Sequence, residues 1–229
     1  MRSGLLKSFK IMDQLVFKFP FSKKYFKQDF FVSNNNFSAY KLIESWPTWP
    51  GKWLNIFGET GSGKTHLSKI LEKKIDKIKL IEAKYISDEI IKDLNFLDCL
   101  IIDNFDNNIN EKLFYSILNQ SKQLDNYILI NSKNSIKNIK FKLEDLSSRI
   151  NSFLYIGIDL PTDDLLKVII SKTLSDKQIS INPKISDFII NNVERSYEKM
   201  FKFLRDVDEL SLSTGKSINI NLIKKVLDQ

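Results

Sequence analysis

Cysteine is nearly missing: Cys99 stands alone, which excludes an internal disulfide and any zinc site built on clustered cysteines. It sits inside an apolar run, where a packing role is expected. Long hydrophobic runs are missing too, since no stretch approaches the roughly 20 apolar residues of a membrane-spanning helix. The hydrophobic share, 42%, is ordinary for a folded protein. Residues Met1–Lys10 carry Arg2, Lys7 and Lys10 without an apolar core or a small-residue cleavage site, so no secretory leader is expected and a cytoplasmic location is. Glycine is scarce, at seven, and three of the seven fall at 58, 61 and 63.

What is present is basic. Lys plus Arg number 35 against 28 for Asp plus Glu, a net charge of +7. Such a balance can signal attraction to nucleic acid. Here the lysines are dispersed among many Asn and Ile residues, as in a chain of AT-rich coding, and no basic block forms. A solvated basic surface is the plainer reading. At 229 residues the chain has room for one sizeable α/β domain and a small appendage.

Up to Gly51 the texture is aromatic and turn-rich, with Phe17, Phe19, Phe21, Tyr25, Phe26, Phe30 and Phe31 close together, as in an arm laid on a body. Trp46-Pro47-Thr48-Trp49-Pro50-Gly51 then breaks the chain. From Trp53 short apolar runs alternate with amphipathic stretches, which predicts parallel strands joined by helices. The strands are expected at Trp53–Phe57, Ile78–Glu82, Cys99–Asp103, Tyr127–Asn131 and Phe153–Ile158, with helices starting near Gly63, Ser87, Asn110 and Leu143. After Pro161 only helices are expected: Thr162–Ser175, Pro183–Asn192, Tyr197–Ser213 and Asn219–Leu227. Three units follow: an arm over 1–51, an α/β domain over 52–161 and a helical lid over 162–229.

Gly58-Glu59-Thr60-Gly61-Ser62-Gly63-Lys64-Thr65 lies between the first strand and a helix. Glycines there let successive amides turn toward phosphates, and the helix that follows adds its positive end. Lys64 is expected on the terminal phosphates and Thr65 on Mg²⁺, which makes the segment a P-loop for ADP or ATP. A second strand must end in an acid for the metal's water shell, and Cys99-Leu100-Ile101-Ile102-Asp103 does. Its neighbour Asn104 cannot take a proton from water, so little intrinsic hydrolysis is expected. Asp106 is the nearby acid that would have to substitute.

Strands followed by a helical lid resemble the AAA+ class of P-loop proteins, which implies an α/β domain with a five-stranded parallel sheet and a C-terminal lid. That resemblance implies a nucleotide-sensing role for Asn131, with Ser132 beside it, although polar strand ends are as often turn formers. It also places Arg149, in Leu143-Glu144-Asp145-Leu146-Ser147-Ser148-Arg149-Ile150, at the position of an arginine finger acting in trans. A surface salt-bridge arginine is the alternative.

Gly63-Lys64-Thr65-His66-Leu67 and the Asp-Leu-Ser-Ser-Arg-Ile run resemble the DnaA family of replication initiators. The chain stops at Gln229 with the lid, where DnaA continues into an origin-reading domain, so the pattern is similar to the short Hda-type relatives of DnaA. Trp-Pro-x-Trp-Pro-Gly before the P-loop fits that type. So does Gln14-Leu15-Val16-Phe17-Lys18-Phe19, which resembles a peptide for the β sliding clamp, with Gln14, Leu15, Phe17 and Phe19 as the docking residues. Its position just after Met12 leaves two starts open, Met1, or Met12 with Met1–Ile11 as an extension.

The resemblance implies a replisome-associated bacterial protein, nucleotide-bound and docked on the clamp, that presents Arg149 to ATP held by DnaA and so restrains initiation. DNA contact is then indirect, no membrane is involved, and a homodimer is left open. The alternative functions are an active DnaA-like ATPase or helicase loader, or a remodeller of single-stranded DNA. Two positions depart from the family: the register of the lid arginine falls on Glu198, leaving Arg195 as the nearest arginine for nucleotide contact, and Lys133 replaces an acid. His66 reads as a packing residue.

Overall fold

The computed structural model describes residues 27–228; the expected clamp peptide at 14–19 lies outside them. Five strands form where apolar runs predicted them: β1 Trp53–Gly58, β2 Ile78–Glu82, β3 Cys99–Phe105, β4 Tyr127–Ser132 and β5 Leu154–Ile158. They make one sheet in the order β2-β3-β4-β1-β5. Every pairing is parallel. Parallel neighbours require crossovers, and helices supply them.

Alternation along the strands decides which helix packs where. Leu100, Ile102, Ile128 and Ile130 share one core with α3 Glu89–Asp93, α4 Glu111–Gln123 and α5 Glu144–Ile150. Their neighbours Cys99, Ile101 and Leu129 face the other way, with Leu54 and Ile56, into a core shared with α2 Lys64–Glu72. Cys99 is fully buried and its thiol is pushed above its usual range by burial, as a packing residue's should be.

One element was not foreseen. Within the stretch expected to be irregular, Phe37–Glu44 forms a helix, α1, whose Ala39 and Ile43, one turn apart, are fully buried in the α2-side core. The tryptophans that follow close the sheet's other end: Trp46 and Trp49 meet Tyr127 edge to face, and Trp49 Nε1 donates to Leu42 O at 2.8 Å.

Residues 163–227 fold as α6 Asp163–Ser175, α7 Pro183–Asn192, α8 Tyr197–Thr214 and α9 Ile220–Leu227 around a third core of Leu166, Ile170, Ile189, Met200, Leu204 and Ile223. Each start carries its own side-chain cap, from Thr162, Asn182, Ser196 and Asn219. Such caps contribute about 1 kcal/mol each, which is why these boundaries were readable. Among the described residues no helix is long and apolar enough to cross a membrane.

Candidate functional site

Because β1 lies next to β4, and β4 next to β3, the loop after β1, the acid of β3 and the polar end of β4 leave the sheet on one side. Register pairs Ile56 with Asn131 and Ile102 with Ile130, so Asp103 and Asn131 emerge as neighbours. The P-loop closes around this point. Gly61 and Gly63 have φ of +88° and +97°, which side chains rarely adopt, and a Cβ on Gly63 would lie 2.8 Å from the Phe30 ring. Phe30 also meets His66 edge to face, at 5.3 Å between ring centres, so His66 packs as expected.

Lys64 Nζ donates to the carbonyls of Gly58 at 2.7 Å and Glu59 at 2.9 Å. Burial pushes its ammonium down to about 8; the Asp103 and Glu59 carboxylates oppose that fall, and the Lys133 ammonium adds to it. Thr65 Oγ1 donates to Asp103 Oδ2 at 2.8 Å. Asn131, fully buried, donates through Nδ2 to Ser68 Oγ at 2.7 Å and to Asp103 Oδ1 at 2.9 Å. Its side chain therefore orients the Asp103 carboxylate from behind.

Asn104 has a backbone reason to be there. Its φ is +53°, it is exposed, and it stands in the irregularity between Ile102 and Phe105 where β3 slips against β4. Left-handed backbone costs most side chains roughly 1–2 kcal/mol and asparagine less. Asn104→Ala should therefore lower urea stability by about 1 kcal/mol while Asn104→Gly leaves it level or slightly higher. Asp106 accepts from Asn108 N at 2.8 Å, holding its own turn.

The lid rests on the P-loop. Glu59 Oε2 accepts from Tyr197 N at 2.8 Å and Oε1 from Ser196 Oγ, so a P-loop carboxylate binds the start of α8. Tyr197 and Phe201 also crowd Gly61, where a Cβ would press on them at 3.0–3.3 Å. Sequence gave Glu59 no role beyond membership of the loop, because its partners lie on the far side of the chain. A second tie runs from Lys133, just past β4, to Glu198 on α8 at 3.6 Å.

Two expected residues stand apart from this cluster. Arg195 pairs with Asp163 at 3.1 Å and is exposed: Ser196 turns inward to cap α8, and the residue before it turns out toward the first turn of α6. Arg149 is on α5, which packs on the sheet face opposite α2, and its Nε donates to Asn119 Oδ1 at 2.8 Å. Sequence reasoning missed Asn55. This buried residue of β1 donates to Ile130 O and Ser132 Oγ and accepts from Ile136 N, fixing the loop that carries Lys133.

The model of the family "Hda, lid domain" matches residues 163–227. The chain is 24% identical over 265 residues to the chromosomal replication initiator protein DnaA of Borreliella burgdorferi, covering 92% of this chain and 54% of that protein. It spans about half the length of the curated DnaA proteins it matches. Its fold is that of domain III of Thermotoga maritima DnaA, with a TM-score of 0.73 at 20% identity, covering 92% of this chain and 98% of that one. AMPPCP-bound DnaA from Aquifex aeolicus gives 0.66 at 19% identity, covering 85% and 68%.

Proposed function

We propose that this chain, a DnaA-related AAA+ protein of the Hda type, is a nucleotide-bound regulator that docks on the DNA sliding clamp and promotes hydrolysis of ATP held by DnaA. The observation that carries this reading is the Hda lid match over 163–227, joined to a P-loop whose Thr65 meets Asp103, itself held by Asn131. A relative of the same fold is bound to AMPPCP, which supports ADP or ATP as the ligand.

In that reading the amides of Gly58–Thr65 and the start of α2 hold the phosphates, and Lys64 exchanges its carbonyl partners for phosphate oxygens. Thr65 and Asp103 form an oxygen pair that suits Mg²⁺, an ion that keeps most of its water shell. When bound, the ion neutralises phosphate charge. Asn104 offers no base, so the protein's own turnover is slow and the nucleotide acts as a structural ligand. Gln14, Leu15, Phe17 and Phe19 engage the clamp, and Arg149 reaches the ATP of DnaA.

The test is reconstitution with ATP-loaded DnaA, clamp and DNA. Hydrolysis of DnaA-bound ATP should accelerate only when this protein and DNA-loaded clamp are both present. No acceleration sinks the proposal, and brisk ATP turnover by the chain alone would favour the self-standing ATPase instead.

A further inference from the structure

Positive charge that looks scattered in the sequence is gathered by the fold on the face that carries Arg149. Between β4 and α5 the chain alternates: Ile139, Phe141 and Leu143 pack on the core shared with α4 and α5, and Lys140 and Lys142 stand exposed between them. The segment is pinned at both ends. Asn55 accepts from Ile136 N at 3.1 Å, and Glu111 of α4 accepts from the amides of Lys142 at 3.1 Å and Leu143 at 2.8 Å. Lys137 is exposed just past the first pin and Lys112 beside the second. None of these four lysines pairs with a carboxylate among the described residues. Glu111, the acid nearest to two of them in the fold, gives both oxygens to backbone amides. Exposed Glu144 and Asp145, in the first turn of α5, offset part of the charge. From the Glu111 tie both helices lead to the finger: at 1.5 Å per residue Arg149 lies about 9 Å beyond Leu143 along α5, and Asn119, its partner, about 12 Å beyond Glu111 along α4. That separation is comparable with the Debye length of about 10 Å at 0.1 M salt, so the lysines act through their field on an anion approaching Arg149.

Resting on the reading of Arg149 as a finger in trans, we propose that Lys112, Lys137, Lys140 and Lys142 form a steering surface for the partner face that presents the triphosphate. The complementary charge is the triphosphate itself. The lysines raise the rate of encounter and take no part in hydrolysis, and Arg149 acts once the faces have met. Holding the charges on a pinned segment keeps their field directed before contact.

The test titrates the full chain into ATP-loaded DnaA with DNA-loaded clamp, from about 50 to about 300 mM salt, and follows hydrolysis. Lys140→Glu combined with Lys142→Glu should lower the initial slope of rate against protein concentration about tenfold at the low-salt end and approach the native slope at the high-salt end. Its saturating rate should stay within about twofold of native, whereas Arg149→Ala lowers the saturating rate itself. Lys112→Glu, on a different element, should lower the slope by less. Glu144→Gln should raise it, an effect that no folding defect produces. Binding of each variant to DNA-loaded clamp, measured without DnaA, should match the native chain. Lysine variants with the native slope at every salt concentration overturn the steering surface and leave the finger standing. A loss that appears equally in binding to DNA-loaded clamp assigns the lysines to DNA phosphates and overturns it as well. No acceleration by the native chain removes the finger reading beneath it.

Discussion

Arg149→Ala is expected to remove the acceleration of DnaA-bound ATP hydrolysis almost completely, a loss of about 10³–10⁵ in rate if the guanidinium acts as a finger in trans. The argument starts from what holds the residue. Leu146 and Ile150 anchor α5 in the sheet core, Tyr155 Oη donates to Ile150 O at 2.6 Å, and Glu111 accepts from the amides of Lys142 and Leu143 at the helix start. On this fixed helix Arg149 gives its Nε to Asn119 of α4, which ties the guanidinium to the face of the sheet opposite α2. A fork so oriented loses little freedom when it meets phosphate oxygens, and lysine cannot reproduce its two-pronged geometry. Arg149→Lys should therefore recover only a small part of the rate. Asn119→Ala, which frees the fork without removing it, should lose roughly tenfold. Thermal midpoints of all three should stay near the native value, since the partly exposed Arg149 supports no core contact. Full acceleration by Arg149→Ala would return this residue to an ordinary surface role.

Features that depend on neighbours in sequence are legible in the sequence itself. The P-loop is eight consecutive residues, the strands are short runs of Ile and Leu, and the lid helices announce themselves through Thr162, Asn182-Pro183, Ser196 and Asn219. Thr65 and Asp103 could each be singled out because a motif fixes the first and a strand end the second. What escaped depends on contacts far along the chain. Helix α1 has only eight residues, and its burial is decided by α2, so its aromatic flanks masked it. Glu59 looks like filler in a glycine-rich loop until α8 is folded over it. Arg195 was the nearest arginine by count, yet capping by its neighbour turns it outward. Asn104 was read for chemistry alone, and its left-handed backbone supplies a second, conformational cause that sequence does not display.

Asn55→Leu should cost about 3–5 kcal/mol of stability, the largest loss expected from any polar residue of the sheet. Leucine keeps the branched four-atom skeleton of asparagine and is bulkier, so the cost is not a cavity. It arises from the groups left behind: Ile136 N, bonded to Asn55 Oδ1 at 3.1 Å, and Ser132 Oγ, bonded to Nδ2 at 2.9 Å, both lie on residues buried away from water. Each buried orphan costs roughly 1–3 kcal/mol, and the loss of the Nδ2 bond to Ile130 O adds to it. A double-mutant cycle separates these contributions. Ser132→Ala alone should cost about 1 kcal/mol, and the pair should cost about 1 kcal/mol less than the sum, because the second substitution removes a group the first had orphaned. Simple additivity in urea unfolding would mean that the Asn55–Ser132 bond contributes nothing.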